Sequence, residues 1–244
     1  MSELLPILRV NPADMPETAI VVGDPFRAEA ISHKLANAKE LAHAREYRTF
    51  VGEYESVRLA VVSHGVGSPG AAVCFEELAK AGVKTVIRVG TAGSLSGDYK
   101  AGSLIVSTAA AREEGLTRQL VPDGYPAVAD GAVAAALYEA ALEAGAPGLV
   151  GKGITVTVDA FFSGVVELPH EAYRKAGAVA VEMEIAALYV IASLRGMRAG
   201  AIVALDGDST AVDEGYDPHR NVVAEAVEAE INAALKAVVK LARP

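Results

Sequence analysis

Three turns in this sequence each combine glycine with an arginine or a hydroxyl group, which is a combination suited to binding a small anion. Each turn follows an apolar run of strand character, and the turns are Gly23-Asp24-Pro25-Phe26-Arg27, Gly65-Val66-Gly67-Ser68 and Arg88-Val89-Gly90-Thr91. Glycine lets backbone N–H groups approach an anion, a helix N-terminus adds positive potential, and arginine offers a forked donor that matches phosphate oxygens. Together the turns predict a small-anion site, although each arginine alone also fits a surface ion pair.

The second turn belongs to the segment GVGSPG at 65–70, which matches the G-x-G-x-x-G fingerprint of dinucleotide-binding proteins. That fingerprint needs an acidic residue about 20 positions later, at the end of the next strand, to hold a ribose. Here the next strand ends in Ile87-Arg88-Val89-Gly90, with a cation instead. A dinucleotide site is therefore disfavoured, and glycines that only bring a helix close to the sheet are the alternative to the anion site.

Two acidic segments also follow apolar strands. Glu182 and Glu184 come at a strand end, where the alternation of side chains predicts that both lie on one face. Such carboxylates suit the paired hydroxyls of a ribose, but either acid can instead stabilise the N-terminus of the following helix. Asp206 follows the most apolar strand, where a carboxyl group partly shielded from water can act as a general acid. Asp208 is a second candidate, and a plain Asp-Gly turn is the alternative.

Two other groups capable of catalysis are predicted to be structural. His64 ends an apolar strand, but no G-x-S-x-G, H-E-x-x-H or Ser/Asp pattern accompanies it. The single cysteine, Cys74, lies within an apolar helix and is assigned to the core. The histidines do not sit at metal-ligand spacing, so no metal site is predicted.

Short β-branched runs alternate with Ala/Leu/Glu-rich runs of helical period, which indicates an α/β fold. The predicted strands are 19–23, 59–64, 85–90, 103–108, 153–158, 178–183 and 201–205. The predicted helices are 25–36, 69–82, 132–145, 184–196 and 221–242. Because ligands of open α/β sheets gather beyond the carboxyl ends of strands, the residues just after each predicted strand are the first candidates for a site.

Composition limits the classes of protein that fit. The 244 residues are 52% hydrophobic and 22% charged, with no linker-like stretch, so one folded domain over 1–244 is expected. A net charge of −9 with scattered basic residues disfavours nucleic acid. The longest apolar run is too short to span a membrane and no signal peptide is recognisable, so a cytoplasmic location is expected.

As a set, these residues resemble the purine nucleoside phosphorylase and uridine phosphorylase family, in its trimer- and hexamer-forming branch, and most closely its purine nucleoside phosphorylases. The segments that carry the resemblance span nearly the whole chain, at 21–31, 44–56, 63–78, 86–95 and 181–208. The resemblance implies a single α/β domain with a mixed central β-sheet flanked by helices. It also implies a homo-oligomer, a trimer of dimers with shared active sites, that takes inorganic phosphate as co-substrate and needs no cofactor.

The resemblance also implies a role for individual residues. Phosphate would be bound by Gly23, Arg27, Arg88 and Thr91, with Arg45 reaching in from a neighbouring subunit. The nucleoside would be bound by Phe161, Val181, Glu182, Met183 and Glu184, of which Met183 and Glu184 would hold the ribose. Asp206 would protonate the purine as its glycosidic bond breaks.

Two departures from the family pattern bear on specificity. An N-terminal histidine that contacts the 5′-hydroxyl is replaced here by Ile7 and Leu8, which favours tolerance of an apolar 5′ substituent. The Gln and Arg by which uridine phosphorylases read uracil are absent from Ser163–Glu167, which favours purine. The leading hypothesis is therefore phosphorolysis of purine nucleosides. The alternatives are a uridine phosphorylase, a nucleosidase of the same fold, and a nucleoside-binding protein without catalysis.

Overall fold

A computed structural model describes residues 4–209, 217 and 219–242 of the chain. Ten strands form one sheet in these residues: β1 (Thr18–Val22), β2 (Ala36–Ala44), β3 (Tyr47–Tyr54), β4 (Val57–Ser63), β5 (Thr85–Ser94), β6 (Leu104–Glu113), β7 (Ala127–Val128), β8 (Val150–Val158), β9 (Ala180–Glu182) and β10 (Arg198–Asp208). The helices are α1 (Pro25–Ser32), α2 (Ser68–Lys80), α3 (Leu116–Leu120), α4 (Gly131–Leu142), α5 (His170–Lys175), α6 (Ile185–Arg195) and α7 (Asn221–Ala242), with a 3₁₀ turn at Pro12–Asp14.

The sheet is mixed, as the sequence resemblance predicts. Its order is β10-β6-β8-β9-β5-β1-β4-β3-β2, with β7 paired to β6. Strand β10 pairs with β6 on one side and also with β5 on the other, so five strands close into a ring, in the order β10-β6-β8-β9-β5. The pairings of β1 with β4 and with β5 are parallel, so the carboxyl ends of these three strands lie side by side.

Both faces of the sheet are covered by helices. Ala19 and Val21 of β1 belong to the core beneath α2 and α6, whereas Ile20 and Val22 belong to the core beneath α1, α4 and α7. A strand buried on both faces has no polar side, which explains why the strand signals are continuous apolar runs. Much of the alanine is used here too, because small side chains let α4, α6 and α7 pack closely.

Several boundaries differ from the sequence prediction. The helix predicted over 25–36 ends at Ser32, and the hairpin β2–β3 that follows was not predicted. Strand β2 is an exposed edge strand of sequence ANAKELAHA, and its composition favours a helix. Pairing with β3 overrides that propensity. The short elements α3, α5 and β7 were also missed, because segments of two to six residues carry too little periodicity.

Candidate active site

A cavity of about 680 Å³ opens where β1, β4, β5 and β10 end. It is lined by ten of the eleven residues assigned a role above: Gly23, Arg27, Arg88, Thr91, Phe161, Val181, Glu182, Met183, Glu184 and Asp206. The exception is Arg45, which is exposed at the two-residue turn between β2 and β3, with a left-handed φ of 58°. Within one chain, the fold therefore gathers every predicted site residue except the one expected to act on a neighbour.

Arg27 reaches the cavity from the first turn of α1. The helix begins sharply because the Asp24 side chain accepts a hydrogen bond from the Phe26 N–H (2.8 Å) and Pro25 occupies the first helical position. The Arg27 guanidinium lies 3.5 Å from the carboxylate of Glu230, a fully buried residue of α7. Arg27 does form an ion pair, as the alternative to an anion site supposed, but the pair is not at the surface, because Glu230 is buried and Arg27 lines the cavity.

Arg88 of β5 is buried between two carboxylates. Its Nη2 lies 3.1 Å from Glu182 Oε2 and also pairs with Glu184 Oε2, and the side chain is only 4% exposed. Burial alone would lower the pKa of Arg88, but Glu184 and Glu182 outweigh it and raise the pKa. The other terminal nitrogen of Arg88, Nη1, lies beside Gly90, and a Cβ added to Gly90 would be 2.2 Å from it. Glycine is therefore required at position 90 for Arg88 to occupy this place.

Glu182 holds the start of α6. Its carboxylate accepts the N–H groups of Glu184 (2.7 Å) and Ile185 (2.9 Å) and the Thr157 hydroxyl (2.6 Å). This is the helix N-terminal role that the sequence left open for this residue. Burial raises the pKa of Glu182, and the attraction of Arg88 opposes that rise.

Glu184 occupies a different position from the one predicted. The expectation that strand alternation puts Glu182 and Glu184 on one face is wrong, because β9 ends at Glu182 and Glu184 caps α6 with φ −142°. The two carboxylates nevertheless meet at Arg88. Glu184 also accepts the Gly67 N–H (2.6 Å), and the Ser68 hydroxyl donates to the Met183 carbonyl (2.8 Å). The β4–α2 turn thus uses its polar groups to position the segment at 183–184.

Asp206 lies in an irregular part of β10. The register with β5 shifts between Leu205 and Gly207, so that Asp206 is the extra residue of a bulge. Its side chain lines the cavity and is buried, with 5% exposure, whereas Asp208 lines the cavity but is exposed. The Asp206 carbonyl accepts a hydrogen bond from Arg220 (2.6 Å). The alternative of an Asp-Gly turn is wrong, because the strand continues to Asp208.

Two neighbouring phenylalanines, Phe161 and Phe162, differ in their relation to the cavity. Phe161 lines the cavity and packs edge-to-face on Phe162, with ring centroids 4.9 Å apart. Phe162 is 76% exposed and does not line the cavity. The N-terminal segment lies away from the cavity of its own chain, because neither Ile7 nor Leu8 lines it. The backbone N–H groups of these two residues donate instead to the buried carboxylate of Glu77.

His64 and Cys74 are both buried and do not line the cavity. Burial lowers the pKa of His64 to about 4 and raises the pKa of the Cys74 thiol. The His64 Nδ1 lies 2.8 Å from the Gly65 carbonyl, and the ring packs edge-on against Phe75. A neutral, packed histidine fits the structural role predicted for it.

Sequence reasoning missed three residues near the site. Glu46 and His170 line the cavity, and Glu230 supports Arg27 from behind. Glu46 and His170 lie next to unrecognised elements, the β2–β3 hairpin and α5. Glu230 had a signal, because it stands seven residues after Val223 and therefore on the apolar face of α7.

The described residues form neither a metal cluster nor a membrane-spanning helix. Across residues 4–209, 217 and 219–242, His, Cys, Asp and Glu side chains form no group of three or more that could hold a metal ion. Among the helices that the structure describes, none combines the length and apolarity needed to cross a membrane.

Comparison with known proteins identifies the class to which this fold and site belong. The family model of the phosphorylase superfamily matches residues 17–242. A purine nucleoside phosphorylase of Plasmodium falciparum is 39% identical over 244 residues, covering 99% of this chain and 98% of that protein. A uridine phosphorylase of Thermococcus kodakarensis is 39% identical over 207 residues, covering 80% and 74%.

A solved structure agrees with these matches. The crystal structure of the Toxoplasma gondii purine nucleoside phosphorylase in complex with immucillin-H superposes with a TM-score of 0.93 at 36% identity, covering 99% of this chain and 97% of that one. The chain therefore belongs to the phosphorylase superfamily. The family and the mixed α/β fold inferred from the sequence motifs are confirmed.

Proposed function

We propose that this protein is a nucleoside phosphorylase that cleaves purine ribonucleosides with inorganic phosphate, yielding the free base and ribose 1-phosphate. One observation carries the proposal. A single cavity contains two arginines, Arg27 and Arg88, together with the buried acid Asp206. The two arginines can bind an anionic nucleophile, and the acid can protonate a leaving group.

In the proposed reaction, phosphate is held by Arg27, by Nη1 of Arg88 and by the turns at Gly23 and Thr91. One phosphate oxygen attacks C1′ of the ribose as the C1′–N9 bond breaks, and the bound anion stabilises the positive charge that develops on the sugar. Asp206 delivers a proton to N7 of the purine, so that the base leaves neutral. Burial of Asp206, in contrast to exposed Asp208, supports this assignment.

The nucleoside is proposed to lie between phosphate and Asp206. Glu184 accepts hydrogen bonds from the ribose 2′ and 3′ hydroxyls beside Met183, and Phe161, Val181 and the backbone around Glu182 line the base pocket. Glu184 is paired with Arg88 in this structure. Both ligands therefore contact one ion pair, and each can align a group that the other ligand uses.

Two features support the choice of purine. The segment 163–167 lacks a Gln or Arg for reading uracil. The Plasmodium falciparum purine nucleoside phosphorylase matches 99% of this chain, whereas the Thermococcus kodakarensis uridine phosphorylase matches 80% of it.

The exposed position of Arg45 at a hairpin turn supports a homo-oligomer, in which this residue completes the phosphate site of a neighbouring subunit.

The test is to measure base release from inosine, adenosine, uridine and 5′-methylthioadenosine, with and without phosphate. We expect phosphate-dependent release from the purine nucleosides and little from uridine. Asp206→Asn should lose purine turnover while retaining phosphate binding, and Asp208→Asn is the matched control that keeps turnover. Base release without phosphate would identify a nucleosidase instead, and faster turnover of uridine would identify a uridine phosphorylase. Unchanged turnover in Asp206→Asn would refute its role as the acid.

A further inference from the structure

Glu230 is a fully buried carboxylate beside the candidate phosphate site. It lies on the apolar face of α7 among buried alanines, and its side chain is fully buried. Its Oε1 lies 3.5 Å from Nη1 of Arg27, and its Oε2 has no hydrogen-bond partner among the described residues. Burying a carboxylate with one unpaired oxygen is costly, and the contact with Arg27 beside the cavity is the ion pair that offsets part of this cost.

The charges around Glu230 do not balance when all of them are ionised. It is faced by Arg27 from α1 and by Arg88 from β5, and the backbone N–H groups of Ala204 in β10 and Gly90 in β5 lie nearby without meeting hydrogen-bond geometry. Arg88 is already paired with Glu182 and Glu184. The cluster thus contains two guanidinium groups and three carboxylates, even before an anion enters the cavity.

The charge of Glu230 can change near neutrality. Burial raises the pKa of Glu230 to about 8, although Arg27 and Arg88 oppose the rise. A phosphate dianion bound to the two arginines adds negative charge close to this carboxylate and favours its protonated form further. A protonated Glu230 still has a carbonyl oxygen that accepts a hydrogen bond from Arg27.

Building on the proposed phosphate site, we propose that Glu230 is a positioning residue, which anchors Arg27 and takes up one proton from solvent when the anion binds. The proton converts the Glu230 carboxylate to a carboxyl group, and no other bond is made or broken. Anion affinity therefore falls as pH rises, because the free protein must first regain the proton.

Sulfate is the probe, because it remains a dianion across the relevant pH range, whereas phosphate itself titrates. Calorimetric binding of sulfate to the full-length protein without nucleoside, at pH 7 and pH 9, should show an affinity about tenfold lower at pH 9. Repeating the measurement in buffers of different ionisation enthalpy should show uptake of close to one proton near pH 9.

Two variants at position 230 separate the effect of its charge from its role in anchoring Arg27, and a third variant is the control. Glu230→Gln keeps an acceptor for Arg27 but cannot titrate, so its sulfate affinity should change less than twofold between pH 7 and pH 9. Glu230→Met removes the acceptor and should weaken sulfate binding at pH 7 by about tenfold while Glu230→Gln does not. Glu228→Gln is the matched control, because Glu228 lies on the same helix, half-exposed and paired with Lys34, and should behave like wild type.

The inference is refuted if Glu230→Gln keeps the wild-type pH dependence, or if wild-type protein takes up no proton on binding sulfate. The second measurement needs no variant and holds even if substitutions at 230 fail to fold. Because sulfate binding requires no turnover, a protein that binds sulfate as described but does not cleave nucleosides would refute the proposed function alone.

Discussion

Removing the guanidinium of Arg88 should destabilise the protein in a strongly pH-dependent way. Arg88, Glu182 and Glu184 are all buried, with side-chain exposures of 4%, 1% and 6%. Arg88→Met leaves two buried carboxylates without their cation, and breaking a buried pair in this way costs about 3–5 kcal/mol. That is a large part of the roughly 5–15 kcal/mol by which domains are stable.

The pH dependence identifies the cause of the loss. Burial already raises the pKa of Glu182 above its ordinary value of 4.5, and loss of Arg88 raises it further. An acid whose pKa is higher in the folded state destabilises the fold as pH rises above the unfolded value. The difference in unfolding free energy between wild type and Arg88→Met should therefore be large at pH 7.5 and shrink towards pH 5.

Urea unfolding followed by circular dichroism, at one fixed protein concentration, measures this difference. Arg174→Met is the matched control, because Arg174 pairs with Glu171 at the exposed surface of α5, where solvent and salt screen the pair. A triple variant, Arg88→Met with Glu182→Gln and Glu184→Gln, should recover part of the loss. A loss for Arg88→Met that equals that of Arg174→Met, or that is the same at pH 5 and pH 7.5, would refute the reasoning.

Further predictions concern residues around the cavity and the core. Gly90→Ala should raise the KM for phosphate at least tenfold in initial-rate assays, because the new methyl group displaces Arg88; Gly97→Ala, which meets nothing within 4 Å, should not. Burial lowers the pKa of His64 from 6.5 to about 4. The unfolding free energy of the wild type should therefore fall as pH drops from 6.5 to 4, because the unfolded chain binds a proton that the folded protein does not. The unfolding free energy of His64→Gln should fall less over the same range. Cys74 is buried and burial raises its pKa, so a thiol reagent should label it only after denaturation; labelling of native protein at the denatured rate would contradict this.

The candidate site residues that lie in short local motifs were the ones that the sequence could indicate. Arg27 and Arg88 each lie in a glycine-containing turn near the end of a predicted strand, and such local spacing is sufficient to mark them as candidates for a small-anion site. The helices α2, α4, α6 and α7 were likewise recognised because 11 to 22 residues of helical period leave a clear pattern.

Long-range pairing accounts for what the sequence could not indicate. Strand β2 has helical composition, and only its register with β3, from Ala36↔Glu53 to Ala44↔Tyr47, makes it a strand. The Arg88–Glu182–Glu184 cluster joins residues 94 and 96 positions apart. The contact between Arg27 and Glu230 spans 203 positions. No local pattern encodes these partners, because they meet only when β5, β9 and α7 have packed.

The bulge at Asp206 has a consequence for how the protein can change. Thr91 and Asp206 lie on neighbouring parallel strands, with Ala204 opposite Thr91 and Leu205 opposite Ala92. Under the proposed roles, the distance between nucleophile and acid is thus set by the pairing of two buried strands on either side of the bulge. A different sugar or base is therefore most easily accommodated by the rim around Phe161 and His170. Under the same roles, a substitution at this rim changes which nucleoside fits, while the pairing of β5 with β10 keeps Thr91 and Asp206 at the same spacing.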